Sequence, residues 1–260
     1  MPTTATRCDA PTKMGIEVFE MRNLPRITAS YWLTLVAAST FGTNTGDFVA
    51  RYLHLGHLAG LPWMGLVFAA ILLLAARARR GEALYFWAAI ITVRTAATNV
   101  GDAFHDFHVA YSVSLSLVLV LFAASVLVYG RIPGERDGKG TVRVNSAYWI
   151  CMMLAGILGT IGGDFVSFRL GLTPLGTAAV FGCLIAASLG WFGKRGVLLD
   201  AAPYWTTVGL IRSGGTGAGD AVAEVLGLAP STLLTGVVFV GLVLCFYAAR
   251  SKAEPRMAPT

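Results

Sequence analysis

Eight long apolar stretches, each bounded by charged residues or by Gly and Pro, follow one another along the chain. About 20 apolar residues suffice to cross a lipid bilayer as an α-helix. The pattern therefore predicts an all-α membrane protein with eight transmembrane helices, called spans 1 to 8. Their predicted ranges are 28–53, 58–76, 83–107, 109–129, 146–169, 174–193, 202–226 and 231–249.

Composition agrees with this pattern and leaves no room for a large domain outside the membrane. The 260 residues are 55% hydrophobic and 13% charged, and soluble domains carry about twice that share of charge. We predict two halves, 28–129 with spans 1 to 4 and 146–250 with spans 5 to 8. A basic cytoplasmic linker, 130–145, joins them, and cytoplasmic tails cover 1–27 and 251–260.

The net charge of +6 is concentrated in the tails and in alternate loops, so it does not indicate nucleic-acid binding. Lys and Arg are enriched in cytoplasmic loops of membrane proteins. We therefore predict that both termini are cytoplasmic. The basic loop residues are Arg77, Arg79, Arg80, Arg131, Arg136, Lys139, Arg143, Lys194 and Arg195.

The odd-numbered spans share one motif, [Gly/Ala]-Thr-x-x-Gly-Asp. It occurs as GTNTGD at 42–47, ATNVGD at 97–102, GTIGGD at 159–164 and GTGAGD at 215–220. A Trp with a neighbouring Tyr stands fifteen residues before each Asp. At 1.5 Å per helical residue, each Asp lies about 22 Å beyond this aromatic level, towards the outer side of the bilayer.

The motif predicts four two-helix repeats, and a second similarity pairs the halves. GDFV recurs at 46–49 and 163–166, and Arg94 and Arg212 each stand eight residues before their Asp. A repeat with an even number of spans places every copy in the same orientation. We predict four parallel two-helix repeats around a pseudo-fourfold or nested twofold axis.

All charges left after removing tails and cytoplasmic loops lie on odd-numbered spans. Intramembrane charges normally face a bundle interior or a wet cavity, so spans 1, 3, 5 and 7 should form an inner ring. The even-numbered spans should shield it from lipid. The ten residues are Asp47, Arg51, Arg94, Asp102, Asp106, Asp164, Arg169, Arg212, Asp220 and Glu224.

Two interpretations of the buried acids remain open. Ion pairs with Arg51, Arg94, Arg169 and Arg212 would fix the helices in register. Alternatively, the acids bind a cation or a proton, because intramembrane acids commonly mark ion pathways. The predicted ligands are Asp47, Asp102, Asp164, Asp220, Thr43, Thr98, Thr160, Thr216, Asn44 and Asn99. The predicted gate or counter-ion residues are Arg94, Arg212, Asp106, Glu224 and Arg51.

All four histidines lie at the predicted outer side of the first half, as His54-x-x-His57 and His105-x-x-His108. Paired imidazoles are transition-metal ligands, so these residues are a second, outer candidate metal site. Histidines at this level also commonly act as solvated caps. The four cysteines show no CxxC spacing, which gives no indication of structural zinc or a disulfide framework.

The leading prediction is a cation transporter, with a divalent metal such as manganese held by the four repeat aspartates. Hard oxygen ligands favour manganese, magnesium or calcium over soft metals. One alternative is a proton-coupled carrier of a small organic anion bound by Arg94 and Arg212; another is a non-transporting scaffold or sensor. We predict no enzyme, since no nucleophile and base pair is visible. The predicted partners are the lipid bilayer and a metal cation or proton, without a covalent cofactor; the oligomeric state is left open.

The span 3 residues Thr92, Arg94, Thr98, Gly101 and Asp102, with the related 212–220 stretch, resemble a family of bacterial multi-span membrane proteins built from repeats of unknown function. The resemblance covers 28–250 and implies an integral protein of the bacterial inner membrane with its Gly-Asp helices at the centre. It implies no substrate. A looser similarity to the Gly-Asp signature of manganese and calcium exchangers lacks that signature's preceding Glu and following basic residue.

Overall fold

A computed structural model describes residues 25–78, 82–132, 142 and 144–253. These residues form eight α-helices and contain no β-strand. The helices are α1 Ala29–Asp47, α2 Leu61–Arg77, α3 Glu82–Asp106, α4 Tyr111–Arg131, α5 Ser146–Asp164, α6 Pro174–Lys194, α7 Ala201–Leu226 and α8 Leu228–Ala253. All eight predicted spans therefore coincide with helices.

Helix ends follow local sequence signals. Asn145 caps α5, its side chain accepting from the Tyr148 backbone N–H at 3.0 Å. Thr173 caps α6 in the same way, accepting from Gly176 N–H at 3.1 Å, and Pro174 occupies the first turn, where no helical N–H partner is needed. Gly227, with φ of 81°, ends α7 in a conformation that favours glycine.

The odd-numbered helices form a closed inner ring. α1 packs against α3 and α7, and α5 packs against the same two helices. The starts of all four meet in one aromatic cluster, which includes Tyr31, Phe86, Tyr148 and Trp205. The four inner helices are therefore parallel, as the repeat predicts.

The even-numbered helices form an outer layer that exposes large apolar side chains such as Trp63, Val120, Leu175 and Leu233. The two helices of one repeat do not form the main contact with each other. Instead α2 packs on α3, α4 on α5 and α6 on α7, while α8 packs mainly on α1. Each repeat thus covers the inner helix of the next repeat, and α8 closes the circle.

Four helical segments are long and apolar enough to cross a membrane: Tyr111–Arg131, Ser146–Arg169, Pro174–Lys194 and Leu228–Ala248. α2 is a shorter apolar helix. The inner helices α1, α3 and α7 carry more polar residues, such as Asn44, Arg94 and Arg212, all of them buried between helices. These features indicate a membrane protein.

The structure also distinguishes the repeats from one another. In repeats 1 and 3 the motif Asp is followed by a short π-helical segment, Phe48–Tyr52 and Phe165–Arg169. In repeats 2 and 4 the α-helix continues beyond the motif, to Asp106 and Leu226. This alternation follows the GDFV similarity and supports a twofold relation between the halves. π-helical turns inside helices are frequent at functional sites.

Some of the predicted basic residues lie outside the described residues. These are Arg79, Arg80, Arg136, Lys139 and Arg143, together with most of both predicted tails. The described basic residues Arg77, Arg131 and Lys194 end α2, α4 and α6, respectively.

Candidate functional site

The four motif threonines interlock with the motif glycines of neighbouring repeats. A Cβ added at Gly46 would lie 2.8 Å from the Thr98 Cβ, and the same distance separates Gly101 from Thr160 and Gly163 from Thr216. Gly219 faces Thr43, whose Cβ would be 3.2 Å away. Because each repeat makes the same contact with the next, the four motifs lie at one level around the axis.

Arg94 occupies the centre of this level. Its side chain is fully buried and crosses from α3 to the other three inner helices. Nη2 donates to the hydroxyls of Thr43 and Thr216, both at 2.7 Å, and Nη1 donates to the Thr160 hydroxyl at 2.9 Å. Nη1 also donates to the Gly156 carbonyl at 3.0 Å. The motif threonines of repeats 1, 3 and 4 therefore hold the guanidinium group of repeat 2.

Arg212 is equally buried but far less well bonded. Its Nη2 donates to the Met152 sulfur at 2.8 Å, while Nε and Nη1 have no hydrogen-bond partner within the part of the chain that the structure describes. Met152 precedes its motif Asp by twelve residues, so Arg212 points towards the helix starts. Arg94 points the opposite way, towards the motif threonines.

Three tyrosine hydroxyls meet on the axis near the helix starts. Tyr204 Oη lies 2.5 Å from Tyr31 Oη and 3.2 Å from Tyr148 Oη, and all three rings are buried. In repeat 2 the tyrosine near the motif Trp is Tyr85, but the fourth position of this cluster is occupied by Phe86. A spacing of sixteen residues to the motif Asp, shared by Tyr31, Phe86, Tyr148 and Tyr204, identifies Phe86 correctly.

The four motif aspartates converge beyond the threonine level. Every pair among Asp47, Asp102, Asp164 and Asp220 is close enough to interact electrostatically. The side chains of Asp47 and Asp102 are each 12% exposed. The carboxyl groups thus form an acidic ring at the ends of the inner helices, partly accessible from that end.

The ion pairs of this ring differ from the predicted pairs with Arg51, Arg94, Arg169 and Arg212 that would fix the helices in register. Asp47 pairs with Arg51, whose Nε is 3.4 Å from Oδ1 and whose side chain is 64% exposed. Within the described ranges, neither Arg94 nor Arg212 forms an ion pair with a motif aspartate. Arg169 instead lies over the Tyr111 ring, 5.9 Å from its centroid. Only one of the four considered arginines therefore pairs with a motif carboxylate.

Asn44 and Asn99 face the outer helices instead of the threonine ring. Asn44 Nδ2 donates to Thr235 on α8 at 3.4 Å, and Asn99 Nδ2 contacts the Met64 sulfur on α2 at 3.7 Å. Among the predicted gate residues, Glu224 is exposed and Asp106 has a 55% exposed side chain. The structure therefore brings together the four Asp residues, the motif threonines and Arg94, but not these accessory groups.

The histidines do not gather into one cluster. His57 alone approaches the acidic ring: its Nδ1 lies 3.2 Å from Asn99 Oδ1 and 3.6 Å from Asp102 Oδ2, and its Nε2 lies 3.8 Å from Asp106 Oδ2. His54, His105 and His108 are exposed. Among the described residues, no group of three or more His, Cys, Asp or Glu side chains is arranged to hold a metal ion.

A cavity of about 320 Å³ opens at the opposite end of the molecule, between the starts of α1 and α3 and the end of α8. Its lining includes Arg26, Tyr31, Trp87 and Tyr247. Tyr31 belongs both to the lining of this cavity and to the tyrosine cluster on the axis.

The fold and the site define a helical-repeat protein with membrane-compatible helices, a buried arginine on its axis and an acidic ring at one end. A family model described as Repeat of Unknown Function (DUF347) matches residues 30–81 and 147–194. The two matches cover repeats 1 and 3, so the predicted resemblance to a repeat family of unknown function is confirmed. Neither the curated proteins nor the solved structures that were compared match the chain.

Proposed function

We propose that the protein transports a cation, most simply a divalent metal such as manganese, through the acidic ring of its inner helices. The observation that carries this proposal is the convergence of four aspartates, none of which forms an ion pair with Arg94 or Arg212 in the part of the chain that the structure describes. Like-charged carboxylates in a partly buried site repel one another, and a bound cation or proton relieves that repulsion. The ring is therefore suited to attract and bind positive charge.

Arg94 would act as the gate beneath this ring. A guanidinium held on the axis by three threonines presents a fixed positive charge to any cation that enters. Fixed positive charges of this kind exclude cations from membrane pores. Passage would then require Arg94 to leave the threonine level, which makes its release the opening step.

The donor chemistry favours hard cations. Carboxylate and hydroxyl oxygens suit manganese, magnesium and calcium, whereas soft metals prefer sulfur. Because the described residues contain no ready-made metal cluster, the proposed site would be completed by small movements of the carboxyl groups and by water. Magnesium and manganese commonly keep several waters when they bind to proteins.

The membrane placement completes the proposal. All eight helices would span the bacterial inner membrane, with α1, α3 and α7 shielded from lipid by their neighbours and both termini in the cytoplasm. The motif threonines, Arg94 and Arg212 are buried inside the bundle, so these polar groups would not face lipid.

A second candidate, a proton-coupled carrier of a small organic anion, is favoured by Arg212. Its Nε and Nη1 are unpartnered donors, among the described residues, in a fully buried guanidinium, and unsatisfied buried donors are costly. A carboxylate ligand would satisfy both. In this case the aspartates would relay protons.

Ligand-dependent thermal stabilisation of the purified protein separates the two candidates. We expect the apparent melting temperature to rise by about 5 °C or more with saturating Mn²⁺, because a ligand that binds only the folded state stabilises it. Succinate at matched ionic strength should have no effect. A rise with succinate and none with Mn²⁺, Mg²⁺ or Ca²⁺ would favour the anion carrier. A scaffold predicts no shift with either.

A further inference from the structure

The two buried arginines hold equivalent positions in the repeat but have opposite conformations. Both stand eight residues before their motif Asp. Both stems pack on a motif glycine of the preceding repeat, Arg94 on Gly42 and Arg212 on Gly159. The two arginines therefore start from corresponding positions, yet only Arg94 reaches the threonine level.

The twofold relation supplies a second, unused set of acceptors for Arg212. The relation pairs Thr43 with Thr160, and Thr216 with Thr98. The acceptors for Arg212 that correspond to those of Arg94 are therefore Thr43, Thr98 and Thr160. Thr98 is buried and packs on Gly46 as its three counterparts pack on their glycines. Its hydroxyl donates to the Arg94 carbonyl at 3.2 Å, just as Thr216 donates to the Arg212 carbonyl. The Thr98 oxygen is thus the one motif hydroxyl that does not accept from Arg94.

Two guanidinium groups at this level would repel each other and compete for the same hydroxyls. Arg94 already bonds three hydroxyls there, and Arg212 is close enough to repel it electrostatically. The residues near the helix starts determine which arginine occupies the threonine level. Arg212 finds the Met152 sulfur on that side, whereas the equivalent position in repeat 1 is Leu35, which offers no acceptor. The arrangement with Arg94 at the threonine level is therefore the more stable one.

We infer that Arg94 and Arg212 are alternative occupants of a single site formed by the motif threonines. When Arg94 leaves, Arg212 enters this site and donates a hydrogen bond to the Thr98 hydroxyl. The role of this exchange as the gate movement rests on the proposed transport function. A cation in the acidic ring repels the guanidinium beneath it, which favours the displacement of Arg94. Entry of Arg212 then closes the axis again.

The test compares Thr98→Val with Thr216→Val by thermal unfolding of the purified protein without added ligand. Four backgrounds are used: the unaltered protein, Arg94→Met, Arg94→Lys and Arg212→Met. Valine retains the methyl packing on glycine and removes only the hydroxyl. In the unaltered background, Thr216→Val should lower the apparent melting temperature by about 5 °C, because it removes a charge-assisted hydrogen bond, and Thr98→Val by less than half of that. With Arg94→Met the order should reverse, because Arg212 then occupies the site.

Three further variants complete the experiment. With Arg212→Met the unaltered order should persist, since Arg94 still fills the threonine site. The double variant Arg94→Met with Arg212→Met should unfold at a clearly lower temperature than Arg94→Met alone, because no guanidinium is left to satisfy the threonines. Arg94→Lys retains a positive charge with a shorter reach and provides a milder form of the Arg94→Met background.

A Thr216→Val effect that remains larger than the Thr98→Val effect in both the Arg94→Met and the Arg94→Lys backgrounds would overturn the inference. So would failure of both Arg94 variants to fold, since the exchange requires that Arg212 can fill the vacated site. None of these measurements involves metal or flux. If the order of the two threonine effects reverses but Mn²⁺ does not stabilise the protein, the exchange is upheld and the proposed cation function is refuted. If Mn²⁺ stabilises the protein but the order does not reverse, the cation function is upheld and the exchange is refuted.

Discussion

Replacing Asp102 or Asp220 with Asn should abolish cation flux while leaving the protein folded. Asn has the volume and polarity of Asp but lacks the charge that a partly dehydrated cation requires. Both residues belong to the acidic ring, and neither is bonded to a buried arginine within the described part of the chain. We expect the flux of each variant to fall to the level of protein-free vesicles.

Flux into proteoliposomes would be compared at equal protein incorporation, with size-exclusion profiles as the measure of folding. Ser116→Ala, at an exposed position on the outer helix α4, is the matched control and should transport normally. Normal flux in both Asn variants would contradict the acidic ring as a transport site. Loss of folded protein in both would instead support a structural role for the carboxyl groups.

Gly159→Ala should prevent correct assembly of the inner ring. A Cβ at this position would contact the Arg212 Cβ and lie 2.6 Å from the Arg212 backbone carbonyl carbon and 2.9 Å from Ser213 N. Backbone atoms cannot move aside as a flexible side chain can, so α5 and α7 would have to separate. Forced overpacking costs about 1–3 kcal/mol and occasionally more, and we expect the upper end here.

The control for this substitution is Gly182→Ala on α6. An added Cβ there meets no atom within 4 Å, and the position is exposed on the outer layer. Alanine favours helix over glycine by about 1 kcal/mol, so this variant should be as stable as the original protein or slightly more so. Equal yields and melting temperatures for the two variants would show that the close approach at Gly159 is not needed for assembly.

The helical architecture was predictable because it depends on periodic features of the sequence. The spans are long apolar runs, and the confinement of membrane charges to odd-numbered spans identified the inner ring. The small residues of the motif also have a local explanation. Position 97 is Ala because it faces Gly156, whereas Gly42 and Gly159 face the stems of Arg94 and Arg212. The size of the residue at this motif position therefore matches the size of the residue that faces it in the next repeat.

The details of the axis were not predictable from one sequence. Arg94 and Arg212 have the same repeat position, and a repeat pattern cannot show that only one of them reaches the threonines. That difference arises from long-range contacts, such as the Arg212 to Met152 contact between α7 and α5. The packing of each even-numbered helix on the following repeat is also set by tertiary contacts and not by the local sequence. Phe86, in contrast, was recognisable from its sixteen-residue spacing to the motif Asp.

Radioactive Mn²⁺ uptake into proteoliposomes containing the unaltered protein tests the central claim most directly. We predict saturable uptake above that of protein-free vesicles, with competition by unlabelled Mn²⁺ and no competition by succinate. Uptake should fall to the protein-free level with the Asp220→Asn protein. Uptake indistinguishable from protein-free vesicles for Mn²⁺, Mg²⁺ and Ca²⁺ alike, with correctly folded and oriented protein, would contradict the account of a cation transporter.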